Sequence, residues 1–141
     1  MIRKAVPADA EQIQVICETS LGYPCESSLI TARLAHLNHD EEVVFVEEID
    51  DTVVGFVHGE RYCCLYFEDA VNILGLAVLR EFQRQGCGRR LMEAVERWAR
   101  TKHILYIRLN SGMTRTDAHS FYRKIGYTNE KEQMRFLKKI E

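Results

Sequence analysis

The chain has 141 residues, of which 46% are hydrophobic and 28% charged, with a net charge of −2. That length supports one core without disulfide staples, so a single domain over residues 1–141 is expected. The negative net charge, and basic residues without interleaved exposed aromatics, argue against a nucleic-acid binder. No apolar run approaches the roughly 20 residues of a membrane span, and no signal peptide is recognised before the first strand. Five cysteines, odd in number and without a C-x-x-C pair, argue against a zinc site and predict free thiols in a reducing cytoplasm.

Segment "MIRKA" alternates enough for a first strand. Pro7 suits the first turn of a helix, with Asp9 near its positive end and Ile13, Ile16 and Cys17 as its apolar stripe. "LGYP" at 21–24 breaks that helix, and a second is expected from Ser27 to Leu37. "EVVFVEEI" reads as a strand. Asp50 and Asp51 then make a short hairpin into "TVVGFVHGERYCCLYF", which would set Cys63 and Cys64 on opposite strand faces. "VNILGLAVL", 71–79, is rich in β-branched and aliphatic residues and reads as a buried strand. After it, Leu91, Met92, Val95, Trp98 and Ala99 share one helical face. "ILYIRLN" is a further strand, ending at Asn110. Thr114 and Asp117 resemble a capping box for a helix stopped by Gly126, and "EQMRFLKK" predicts a closing strand. The order β-α-α-β-β-β-α-β-α-β predicts an α/β (α+β) fold with a mixed, mainly antiparallel sheet and crossover helices.

The glycines of "FQRQGCGRRLM" stand where the apolar strand gives way to the helix. A helix amino terminus there offers free N–H groups to an anion, phosphate above all. A dinucleotide fingerprint would need a third glycine where Leu91 stands, and no Gly-Lys-Ser/Thr of a triphosphate loop occurs.

"LAVLREFQRQGCGRRLM" resembles the signature of the GCN5-related N-acetyltransferases (GNAT): an apolar Leu-x-Val strand, then Gln83, Gly86 and Gly88 opening a helix. A second block, "N…AHSFYRKIGY", matches the family's other hallmark through Asn110, Ala118, Phe121, Tyr122, Gly126 and Tyr127. The resemblance spans the chain. It implies the GNAT fold and an enzyme that uses acetyl-CoA as co-substrate. Backbone N–H groups of Arg84, Gln85, Gly86, Cys87, Gly88 and Arg89 would hold the pyrophosphate, and Leu76, Ala77 and Val78 would pair with the pantetheine arm as an added strand does. Arg84, Arg89 and Arg90 would neutralise the ligand or remain solvated. Glu93 with Arg97 and Glu96 with Arg100 read as helix-surface pairs.

The resemblance further implies that Tyr122 protonates the departing thiolate and that the N–H of Val78 or its neighbour polarises the thioester carbonyl. A glutamate commonly occupies the place of Asn72 in the family, and an amide cannot usefully accept a proton. Glu68, Asp69, His58, His119 and Glu26 are more distant bases that could act through water. Cys87 at a helix amino terminus invites a covalent acetyl-enzyme. Its place in a loop whose backbone does the binding favours direct transfer. The acceptor is expected to be the primary amine of a small molecule, with short matches to branches acting on aminoglycosides or aminoalkylphosphonates. Protein amino-terminal or lysine acetylation, or a sensory acyl-CoA-binding module without catalysis, are the alternatives. No metal, nucleic acid or membrane partner is expected, and a homodimer is carried as the assembly. Residues 1–52 hold 11 acids against 3 bases, whereas 53–141 hold 10 against 16. That division predicts a cationic acceptor on the acidic side.

Overall fold

The computed structural model describes residues 1–141, whose contacts divide into two units, Met1–Asn110 and Ser111–Glu141. The first unit is built on a five-stranded sheet in chain order: β1 (Ile2–Lys4), β2 (Glu42–Ile49), β3 (Thr52–Tyr62), β4 (Ala70–Val78) and β5 (Tyr106–Leu109). Every neighbouring pair is antiparallel except β4 and β5, which need a crossover and run parallel. The expected mixed, mainly antiparallel sheet is therefore present. Asp50 and Asp51 both take positive φ, 50° and 62°, as a two-residue hairpin requires, and bring Ile49 opposite Thr52.

Helices cover both faces. On one side lie α1 (Ala10–Ile16) and α2 (Ser27–Ala35), whose Ile13, Ile16 and Leu34 pack with Val44, Val46, Val53, Phe56 and Ala77. A short 3-10 turn, Pro7–Asp9, precedes α1. Asp9 is buried and takes two hydrogen bonds from Arg3, at 2.8 and 2.9 Å, which hold its carboxyl below the usual range. The helix continues as a π turn to Leu21 and stops where Gly22 turns left-handed at φ 74°.

On the opposite face lies α3 (Cys87–Thr101), which buries Leu91, Met92, Val95, Trp98 and Ala99, the stripe read from the sequence. Its close approach depends on Gly55 of β3. A Cβ there would lie 3.1 Å from the Ala77 carbonyl and 3.2 Å from Leu91 Cδ1. This approach sets the height of the α3 amino terminus above the end of β4.

The second unit contains α4 (Thr116–Lys124), after which Gly126 takes φ 102°. Three expectations fail here and at β3. Thr114 does not cap α4: its cap residue is Arg115, with no side-chain cap bond, and the His119 ring meets the Gly112 carbonyl at 2.8 Å instead. The strand expected over "EQMRFLKK" is absent. Residues 128–141 have no regular structure and leave Met134, Phe136, Leu137 and Ile140 at least 80% exposed. A strand is stable only where a neighbour completes its ladder, and no strand pairs with this one. Cys63 and Cys64 lie beyond the end of β3 at Tyr62, so they do not mark two faces of a strand; all five cysteines are free.

Candidate active site

The sheet opens beside β4. Its parallel pairing with β5 runs from Ala70↔Tyr106 to Ile73↔Leu109 and ends there, while β4 continues to Val78. The register with β3 passes from Gly59↔Ile73 to His58↔Gly75, so Leu74 is the extra residue of a bulge, half exposed where the two strands part. Leu79 N–H donates to the Val54 carbonyl of β3 at 2.8 Å. Since strand backbone groups alternate in direction, the N–H groups of Val78 and Leu76 face the open edge. A free edge of this kind can receive an extended amide-bearing chain as an additional strand.

The turn after β4 is built from the predicted residues. Arg80–Phe82 form a 3-10 turn, and Gln83 Nε2 donates to the Val78 carbonyl at 2.9 Å, closing the loop on the strand end. Arg84 takes φ 64° and Gly86 φ 84°, and Gly86 is the cap residue of α3. Two left-handed positions so close together turn successive N–H groups inward, as anion-binding turns do. The Gly86 carbonyl accepts the first helical bond, from Arg90 N–H at 3.0 Å, which leaves the N–H groups ahead of Arg90 without helical acceptors. A Cβ on Gly86 would lie 2.8 Å from Arg90 Nη1. The turn thus fits a diphosphate, and the adjoining edge of β4 fits a pantetheine arm.

The structure assigns the three arginines different situations. Arg84 is exposed and makes no ion pair. Arg89 pairs with Glu93 at 3.2 Å, so Glu93 turns toward Arg89 and not, as expected, toward Arg97. Arg90 is not free for a ligand: its Nε is 2.6 Å from Glu47 Oε1, and its Nη1 donates to the Gln85 carbonyl at 3.0 Å. Glu47 is 1% exposed and also receives the Met1 ammonium at 2.6 Å. Burial pushes its carboxyl up, but the ammonium and Arg90 outweigh burial and hold it below the usual range. Glu47 is thus a buried brace that ties the chain's amino terminus to Arg90 of the turn.

Cys87 is 1% exposed, with Arg90 Nη2 3.3 Å from its sulfur. Burial pushes the thiol up despite the nearby guanidinium, so it is held as a protonated thiol.

In the second unit, Tyr122 on α4 is half-buried between Phe121 and Tyr127, in edge contacts at 5.1 and 6.0 Å. Burial raises its pKa and keeps the phenol protonated. Asn110 follows β5 directly and is exposed. The first unit therefore brings together Leu76, Ala77, Val78 and residues 83–89; Tyr122 belongs to the second.

None of the more distant bases is a free carboxylate or imidazole beside Asn72. His58 meets Glu42 at 3.0 Å, Asp69 meets Arg61 at 2.9 Å, and Glu68 and Glu26 lie exposed on loops. The acidic excess of residues 1–52 is partly cancelled within the fold. Asp9 and Glu48 meet Arg3, Glu47 meets Arg90, and Asp40 lies 3.7 Å from Lys102, whereas Glu11, Glu26, Glu41, Asp50 and Asp51 make no ion pair.

A strand edge opened by a bulge leads into a left-handed glycine turn at a helix amino terminus, a surface with room for an extended chain that ends in phosphate. The model of the acetyltransferase (GNAT) family matches residues 10–127, and the chain belongs to that family. It is 30% identical to an uncharacterized N-acetyltransferase of Chlorobaculum tepidum, over 99% of this chain and 81% of the relative. Among solved structures it is similar to AAC(6')-Iy in complex with the bisubstrate analog CoA-S-monomethyl-acetylneamine, with TM-score 0.84, 17% identity, and 99% and 98% of the two chains covered. It is also similar to the aminoglycoside acetyltransferase meta-AAC0020, from an uncultured soil metagenomic sample, in complex with trehalose. There the TM-score is 0.82 and the identity 21%, covering 100% of this chain and 96% of that one. The chain is thus an N-acetyltransferase, with acetyl-CoA as its co-substrate. No helix is long and apolar enough to cross a membrane.

Proposed function

We propose that the protein moves the acetyl group of acetyl-CoA directly to the primary amine of a small, cationic molecule. The observation that carries this reading is the open edge of β4, whose Val78 and Leu76 N–H groups run straight into the Gly86 turn. An acceptor amine resembling lysine is protonated at pH 7, and exposing its lone pair costs roughly 4–5 kcal/mol. The thiolate leaves at a pKa near about 8.5 and needs less help. In this reading residues 84–89 hold the diphosphate, Leu76–Val78 align the pantetheine arm, and the Val78 N–H stabilises the developing oxyanion. Tyr122 returns a proton to the thiolate. Asn110 and Gln83 complete the set, Gln83 by holding the turn closed on Val78.

Support for a small-molecule acceptor comes from the aminoglycoside acetyltransferases among the similar structures, one of them in complex with sisomicin. The unpaired acids Glu11, Glu26 and Glu41 favour a cationic amine. The same reading takes residues 1–141 as one catalytic domain in the cytoplasm, where its five free thiols persist, and carries a homodimer as its assembly.

The test is a panel of amines incubated with acetyl-CoA: sisomicin, spermidine, an aminoalkylphosphonate and a lysine-containing peptide. Mass spectrometry should find one added acetyl group on sisomicin or spermidine. Acetylation of the peptide alone would replace the small-molecule reading with a protein acetyltransferase.

A further inference from the structure

The family resemblance leaves the proton acceptor unassigned, because an amide, Asn72, stands where a glutamate is common. The strand register supplies a carboxylate from elsewhere. Glu60 of β3 lies directly opposite Asn72 of β4, and Asn72 directly opposite Arg108 of β5. Residues opposite one another share a sheet face, so the three form a row across the strands. Asn72 Nδ2 donates to Glu60 Oε2 at 3.1 Å, and Arg108 Nη1 donates to Asn72 Oδ1 at 2.7 Å. An amide has one donor end and one acceptor end, and only this orientation satisfies both neighbours. Arg108 is itself fixed over the Tyr62 ring, 4.5 Å from its centroid.

We propose that Glu60 is the carboxylate that takes up the acceptor amine's proton, with Asn72 and Arg108 as the residues that position it. Three observations single it out. Its neighbour in the row, Glu42 of β2, is engaged by His58, and Asp69 by Arg61, whereas Glu60 meets no cation within ion-pair distance. Its one side-chain bond comes from a neutral amide, which orients the carboxylate without cancelling its charge. Asn72 stands two residues before Leu74, where β4 parts from β5 and the acyl carrier's edge begins. Glu60, Asn72 and Arg108 all remain partly exposed, so a proton gained there passes on to water.

The acceptor reaches the site as an ammonium and loses two protons in becoming an amide. Glu60 takes one and passes it to solvent, which frees the lone pair. Nitrogen then bonds the thioester carbon, the carbon–sulfur bond breaks, and the second proton ends on the departing thiol. Nothing is oxidised or reduced. This assignment rests on the acetyltransferase reading above.

The test uses the full chain with acetyl-CoA and the same panel of amines. With an amine that the parent acetylates, Glu60→Gln should lower kcat roughly 10²–10⁴-fold, the range for a general base. The melting temperature and the KM for acetyl-CoA should not change, because glutamine still accepts the Asn72 bond. Exchanging the two groups, Glu60→Gln with Asn72→Glu, returns a carboxylate to the row and should recover at least about tenfold of that loss. Parent-like kcat in Glu60→Gln overturns the assignment, as does a kcat loss matched by a fall in melting temperature or coenzyme A affinity. If the parent acetylates no amine of the panel, the proposed function falls, and this assignment with it.

Discussion

Replacing Glu47 with glutamine should loosen the turn from a distance. The carboxylate is 1% exposed and accepts two charge-assisted bonds of 2.6 Å, from Met1 and from Arg90. Such bonds contribute about 1.5–3 kcal/mol each. Both cations reach solvent, at 70% and 45% exposure, and rehydrate when released, so the lower end applies. A net loss of about 2–3 kcal/mol is expected, equivalent to a melting point roughly 6–10 °C lower for a domain of this size. Since Arg90 also holds the Gln85 carbonyl, coenzyme A affinity should fall in the same variant. The carboxyl is held below its usual range in the folded protein. Its contribution is therefore complete above the unfolded-state carboxyl pKa of about 4.3 and is lost as pH falls through the lower folded value. Thermal melts of the two proteins should differ at pH 7 and converge in acid, with coenzyme A binding followed by calorimetry at pH 7. A melting point and an affinity both equal to the parent's at pH 7 would refute the brace.

Gly86→Val should weaken acetyl-CoA binding in calorimetry. Valine is strained at φ 84°, and its Cβ would displace the Arg90 guanidinium 2.8 Å away, so unchanged affinity in a folded variant would remove this turn from the binding site. Cys87→Ala should keep most turnover, and the intact parent should show no acetyl adduct after acetyl-CoA alone, because burial holds the thiol protonated. An adduct, together with a large turnover loss in the variant, would reverse that. Tyr122→Phe should melt as the parent does and lose turnover by about 10²-fold, the low end for a general acid. Parent-like single-turnover rates would exclude Tyr122 from the mechanism.

The parts of the site that the sequence made legible are local. The Leu-x-Val strand, the glycine turn and the α3 stripe span residues 71–99 without interruption, and each carries its own period or its own left-handed position. What stayed hidden depends on partners far along the chain. Glu47 sits in "EVVFVEEI" like a solvated strand-end acid, yet its partners are residues 1 and 90, and a register shift beside it sets its place on the sheet. Glu60 meets Asn72 only because β3 and β4 shift register between His58 and Gly59; without that bulge the pairing would move by one residue and the two would face opposite sides. "EQMRFLKK" shows the converse: it has the residue types of a strand, but residue type does not supply a neighbour.

The most direct test of acetyl transfer to a small amine is one reaction of the protein with acetyl-CoA and sisomicin, followed for thiol release and for mass together. Equal amounts of free coenzyme A and singly acetylated sisomicin are expected, with no mass added to the protein. Thiol release without acetylated amine, or an acetyl group retained on the protein, would contradict it.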